Sequence, residues 1–212
     1  MTRRRGWAPC LLAGLALIGL AVGLLITRQG PARGQAVPLV NIGTVPSTLA
    51  TGTSAGSVLR ADDPGTPPPP GSHLLLARLG VDAPITDVAV NDGVMDVPLN
   101  PRTLGWWSGG AAPGAARGHV VIVGHINYAG VSGALGALPR ARPGDLVELH
   151  DGPRLLRYRI VAVRSYPKTG GIPADIFSTT GPPQLILITC GGPFDSTTGN
   201  YLDNIVGYAE PA

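Results

Sequence analysis

Two side chains in this sequence combine the chemistry of a nucleophile with that of a proton carrier. Gln184-Leu185-Ile186-Leu187-Ile188-Thr189-Cys190-Gly191-Gly192 is an apolar run closed by a thiol and two glycines. Its β-branched content, and the brackets of Pro182-Pro183 before and Gly191-Gly192 after, predict a buried strand that ends at Cys190. A free cysteine is also a common small core side chain, so position alone leaves both roles open. Val120-Val121-Ile122-Val123-Gly124-His125 repeats the design, a core strand delivering an imidazole. Thiol and imidazole together are the parts of an activated nucleophile, because the thiolate is the reactive species and a neighbouring imidazolium favours it.

The elements that must position this pair are short strands. Leu74–Leu79 and Pro84–Val90 are expected strands, and Asn91-Asp92-Gly93 turns into Val94-Met95-Asp96-Val97. Gly105-Trp106-Trp107-Ser108-Gly109-Gly110 is expected to be a packing anchor under a loop or a wall of a peptide groove. Then come strand His119–Gly124, a helical turn or two at Ser132–Leu138, and strands Leu146–His150 and Leu155–Tyr166. A long connection from Pro167 to Pro183, with a short helix near Pro173–Phe177, leads to strands Gln184–Thr189 and Asn204–Ala209. About eight short strands with frequent turn signals argue for a mainly β domain, a closed barrel or a sandwich.

The other three histidines, His73, His119 and His150, fall at a domain edge, a strand start and a hairpin, where solvated roles are expected. No pair of histidines has metal-ligand spacing, and Cys190 has no neighbouring Cys or His, so neither a metal nor a cofactor is expected.

Composition sets the outer limits. The chain has 212 residues, of which 31 are glycine and 22 proline, with only 14% charged. That fits one β-rich domain with a flexible leader. The formal net charge of +3 is carried by Arg3, Arg4 and Arg5; beyond them basic and acidic residues balance and do not cluster, which argues against a nucleic-acid partner.

Trp7 to Ile26 is an uncharged apolar run of 20 residues, long enough for a bilayer-spanning helix. Three arginines before it and Arg28 after it place residues 1–6 in the cytoplasm and everything beyond the span outside. A cleaved signal peptide with a site near Gly34-Gln35-Ala36 is the competing reading, for which the apolar region is long. On this topology Cys10 and Cys190 lie on opposite sides and do not pair, leaving an exported domain with one free thiol. Residues 27–72, rich in Pro, Gly, Ser and Thr and including Pro67-Pro68-Pro69-Pro70, are an expected extracellular spacer. Val37 to Val45 is its most apolar part. The folded domain is expected over residues 73–212.

Gly124-His125 after one apolar strand, Leu187-Ile188-Thr189-Cys190 ending another, and the single-span exported topology together resemble the sortases, bacterial cysteine transpeptidases with a Leu-x-Thr-Cys signature. The resemblance covers about Leu74 to Glu210. Leu79-Gly80-Val81-Asp82-Ala83-Pro84, Pro143-Gly144-Asp145 and Thr189-Cys190-Gly191-Gly192-Pro193-Phe194-Asp195 are similar to the class E and F branch found in actinobacteria.

The resemblance implies an eight-stranded closed β-barrel with short helices, preceded by one transmembrane helix. It implies Cys190 as nucleophile and His125 as acid and base. The partners would be exported proteins bearing a C-terminal Leu-Pro-x-Thr-Gly-like sorting signal and an amine acceptor such as a cell-wall precursor. A sortase-fold module that only binds sorting signals, and a surface thiol peptidase, are the alternatives. The sequence departs from the family at one place: a family arginine is expected about a dozen residues after the cysteine, and Leu202 stands there. No Lys or Arg follows Lys168. Arg164, Lys168, Asn204 or a backbone N–H are the candidate substitutes.

Overall fold

The computed structural model describes residues 40–46 and 68–212. The expected cytoplasmic N-terminus (1–6) and membrane span (7–26), and most of the expected spacer, lie outside these residues. Among the described residues no helix is long and apolar enough to cross a membrane.

Among the described residues thirteen strands occur in chain order: β1 (Asn41–Gly43), β2 (His73–Leu76), β3 (Val81–Val88), β4 (Val90–Asn91), β5 (Val94–Met95), β6 (Leu104–Trp107), β7 (His119–Val123), β8 (Asn127–Tyr128), β9 (Val131–Ser132), β10 (Leu146–Asp151), β11 (Arg154–Pro167), β12 (Gln184–Asp195) and β13 (Asn200–Pro211). The sheet runs β11-β10-β2-β3-β6-β7-β12-β13, and β13 pairs back onto β11. Eight strands therefore close into the expected barrel. Closure leaves no free edge among them. β1 is a short addition to β11, with Asn41 opposite Arg164, so Asn41–Gly43 of the expected spacer is a strand, with Val40 buried beside it.

Most neighbours are antiparallel, but β3 and β6 run parallel, as do β7 and β12, the latter in register from Gln184↔His119 to Ile188↔Val123. Both strands are apolar on both faces. Val120, Ile122, Leu185 and Leu187 point into the barrel core, while Val121, Val123, Ile186 and Ile188 join a second cluster on the outside. That second cluster is covered by Ile176 and Phe177 of the β11–β12 connection and by Trp107. Two-sided burial is the reason these runs are continuously hydrophobic instead of alternating. The connection is tied to the base of β7: the His119 N–H donates to Ser178 O at 2.8 Å and the Gly118 N–H to Gly181 O at 3.2 Å. Gly118 has φ +80°, and a β-carbon there would sit 2.7 Å from the Thr179 backbone, so only glycine admits this approach.

Several local expectations are corrected. Leu104–Trp107 is a barrel strand, with Trp106 buried in the core and its Nε1–H donating to Ala111 O. Ala77–Leu79 is a 3-10 turn after a shorter first strand, and the expected helix at Ser132–Leu138 is a series of turns leading to a 3-10 turn at Leu138–Arg140. The expected short helix near Pro173–Phe177 is a 3-10 turn, Ala174–Phe177. The Asp92-Gly93 turn forms as expected, with positive φ at both residues. His119 is buried, not solvated, with Nδ1 3.1 Å from Ile176 O. His73 and His150 lie opposite each other on β2 and β10 and stack at 4.1 Å.

Candidate active site

The positions of Cys190 and His125 follow from the parallel β7–β12 pair. Ile188 lies opposite Val123, and the Gly124 N–H donates to Ile188 O at 3.0 Å, carrying the ladder one step past β7. His125 and Cys190 are each two residues beyond that pair, His125 in the segment that leaves β7 and Cys190 within β12, so the ladder brings them to one level. Gly124 faces inward, since a β-carbon there would lie 2.6 Å from Leu104 Cδ2. Gly191 also faces inward, where a β-carbon would overlap Ile205 of the core. Strand alternation then turns His125 and Cys190 to the outer face, in line with Val121 and Val123 and with Ile186 and Ile188. Both side chains are half-buried.

Cys190 does not end its strand, as the sequence suggested. β12 continues to Asp195, with Cys190 opposite Asn204 of β13 and an irregularity in register between Gly191 and Phe194. Gly192, at φ +73°, sits in that irregularity with the Asp203 carboxylate packed where a side chain would go. The thiol therefore projects from the middle of a paired strand. Its backbone is held more firmly than that of a loop residue.

The imidazole is oriented from two sides. His125 Nε2 lies 3.0 Å from Pro98 O, and because a carbonyl only accepts, Nε2 carries the hydrogen and donates it. In the neutral ring this leaves Nδ1 as the proton acceptor. The ring stacks on Tyr128 at 4.8 Å between centroids. The backbone of His125 is pinned as well: the Leu135 N–H donates to His125 O at 3.2 Å, and Gly133 packs so closely on the same carbonyl that a β-carbon would overlap it. Asn127 Nδ2 donates to Tyr201 Oη at 2.7 Å, joining this segment to β13.

The structure brings one further side chain to the thiol. Lys168 Nζ lies 3.5 Å from Cys190 Sγ, reaching from the 3-10 turn Lys168–Gly170 that follows β11. Of the other proposed substitutes for the family arginine, Arg164 is occupied: its Nη1 donates to Ile42 O and to Val163 O, and its Nη2 to Gly43 O. Asn204 is opposite Cys190 on the same face. Leu202, two residues along, is 48% exposed. Among the described residues no cluster of potential metal ligands occurs. Pro98 and Tyr128 had no signal in the sequence, since one acts through a backbone carbonyl and the other is a single aromatic near a turn.

A family model described as the sortase domain matches residues 74–212. No curated protein matches the chain. Among solved structures, sortase A from Corynebacterium diphtheriae is similar with a TM-score of 0.54 and 20% identity, covering 66% of this chain and 60% of that one. Sortase C-1 from Actinomyces oris gives 0.54 and 17%, covering 66% and 73%. The group B Streptococcus pilus island 1 sortase C2 gives 0.52 and 18%, also covering 66% and 73%. The match thus spans about three fifths of the Corynebacterium chain. With the family model extending from the first barrel strand to the last residue, and the same closed barrel found in these structures, the chain belongs to the sortase family.

Proposed function

We propose that this sortase is a cysteine transpeptidase in which Cys190 is the nucleophile and His125 the acid and base. The observation that carries the reading is the level placement of the two residues, side by side on the outer face of the parallel β7–β12 pair. The Cys190 thiolate attacks the Thr–Gly carbonyl carbon of a Leu-Pro-x-Thr-Gly-like sorting signal on an exported protein. The tetrahedral adduct collapses with cleavage of the C–N bond, and His125 gives a proton to the departing amine. A second amine, from a cell-wall precursor or another protein, then attacks the thioester and gives a proton to His125, and the C–S bond breaks to restore the thiolate.

The reading extends to the whole chain. Residues 7–26 anchor the protein in the cell membrane with residues 1–6 in the cytoplasm, and the barrel works outside. The motifs around Asp82 and Cys190 support placement near the class E and F sortases of actinobacteria. Full-length protein incubated with a fluorescent Leu-Pro-x-Thr-Gly peptide, with and without a short glycine peptide as acceptor, tests the function. Ligation that depends on the acceptor supports a transpeptidase. Hydrolysis indifferent to the acceptor would identify a thiol peptidase, and binding without turnover a recognition module.

A further inference from the structure

We propose that Lys168 is the catalytic cation of this sortase, reaching the thiol from the β11 side of the sheet while Leu202 occupies the β13 position. The proposal rests on Cys190 being the nucleophile. Lys168 is the only lysine in the chain, all other cationic side chains being arginine or histidine. Its ammonium is 3.5 Å from the sulfur. The register explains how a residue so distant in sequence arrives there. Tyr166 lies opposite Asn204 and Pro167 opposite Asp203, and Lys168 opens the 3-10 turn that follows directly and packs against β13. Directly opposed residues of an antiparallel pair project to the same face. Cys190 shares that face through Asn204, its own opposite on β13. The charge missing at Leu202 is therefore supplied from the turn that follows β11.

The last arginine of β11 is engaged elsewhere. The Arg164 guanidinium is spent on the carbonyls of Ile42, Gly43 and Val163. No Lys or Arg occurs in β12 or β13. Lys168 makes no ion pair with a carboxylate among the described residues, so its charge is not neutralised by another partner. It is exposed, held by a turn that packs against β13.

An ammonium has three N–H donors. One meets the sulfur in the free enzyme, which leaves others for the substrate carbonyl oxygen once it approaches Sγ. When the C=O electron pair moves to oxygen, Lys168 stabilises that oxyanion, and it keeps its own proton throughout both half-reactions. Against the oxyanion, where bound peptide excludes water, the loss of such a donor is on the order of 10²–10³ in rate.

The test uses the full-length protein, its Lys168→Met, Lys168→Gln and Lys168→Arg variants, and Leu202→Arg placed on Lys168→Met. Two rates are measured: alkylation of Cys190 by iodoacetamide at neutral pH, followed on the Cys190 peptide so that Cys10 does not contribute, and single-turnover acylation by a sorting-signal peptide. We expect Met and Gln to slow alkylation about two- to fourfold and acylation on the order of 10²–10³. Arginine at 168, or at 202 in the Met background, should recover most of the loss. Unchanged alkylation and acylation in both neutral variants would overturn the role of Lys168 while leaving Cys190 as nucleophile. Turnover that survives Cys190→Ala would instead overturn the function on which it rests. If the wild type does not acylate with the chosen peptide, alkylation decides: a fall in both neutral variants that Lys168→Arg reverses supports the cation, and no fall overturns it.

Discussion

The Gly124 N–H donates to Ile188 O at 3.0 Å, extending the parallel β7–β12 ladder by one step and placing His125 level with Cys190. This single bond joins the two halves of the candidate active site, which are 65 residues apart in sequence. A parallel pair runs both segments in one direction, so His125, just past the end of β7, and Cys190, within β12, are carried to neighbouring positions.

The pair should be separable from the fold. Cys190→Ala is expected to abolish ligation and His125→Ala to reduce it by several orders of magnitude, with thermal unfolding midpoints close to wild type, because both side chains are half-buried on the outer face. A Cys190→Ala protein that unfolds yet keeps residual turnover would return the cysteine to the role of a core side chain.

Inward-facing Gly191 carries a different prediction. A methyl group there overlaps Ile205 in the barrel core, so Gly191→Ala should destabilise the domain by about 1–3 kcal/mol through overpacking. Because Gly191 follows Cys190 directly, acylation should fall as well. Denaturant titration with unaltered stability would show that the core yields at this point.

Acid stability should depend on Asp145. The Arg78 guanidinium, hydrogen-bonded to both carboxylate oxygens, holds this carboxyl below its ordinary range, helped by the Arg142 N–H at 2.7 Å. A depressed carboxyl contributes stability that is present above its unfolded value, about 3.9, and is lost as pH falls through the folded value. Urea midpoints followed downward from about pH 5 should decline more steeply in wild type than in Asp145→Asn. Parallel curves would remove this ion pair from the account.

Topology provides a fourth expectation. Protease added to intact cells should reach residues beyond Arg28, and the full-length protein should sediment with membranes. A soluble mature form starting near Ala36 or Val37 would replace the anchor with a cleaved signal peptide.

The strands that carry the chemistry were legible because two-sided burial makes them uninterrupted apolar runs, as in Val120–Val123 and Leu185–Ile188. Their ends were less so. β12 runs on through Cys190-Gly191-Gly192 to Asp195, because pairing with β13 outweighs the poor strand preference of glycine. Strand β6 was hidden for the same reason, Gly105 and two tryptophans resembling a loop anchor when in fact Gly105 lies where a β-carbon would meet Val88 at 2.6 Å. The contact of Lys168 with Cys190 depends on the register of β11 against β13, which no local pattern encodes. His125 and Cys190 could be singled out by type and setting, but their shared level and face are properties of the parallel pairing.

The central claim is that Cys190 becomes acylated by a sorting-signal peptide. Intact-protein mass spectrometry after mixing full-length protein with a Leu-Pro-x-Thr-Gly peptide tests it directly. An adduct of the peptide's acyl portion is expected on Cys190, released by hydroxylamine and absent in Cys190→Ala. Peptide cleavage without any hydroxylamine-sensitive adduct, or an adduct that persists in Cys190→Ala, would contradict it.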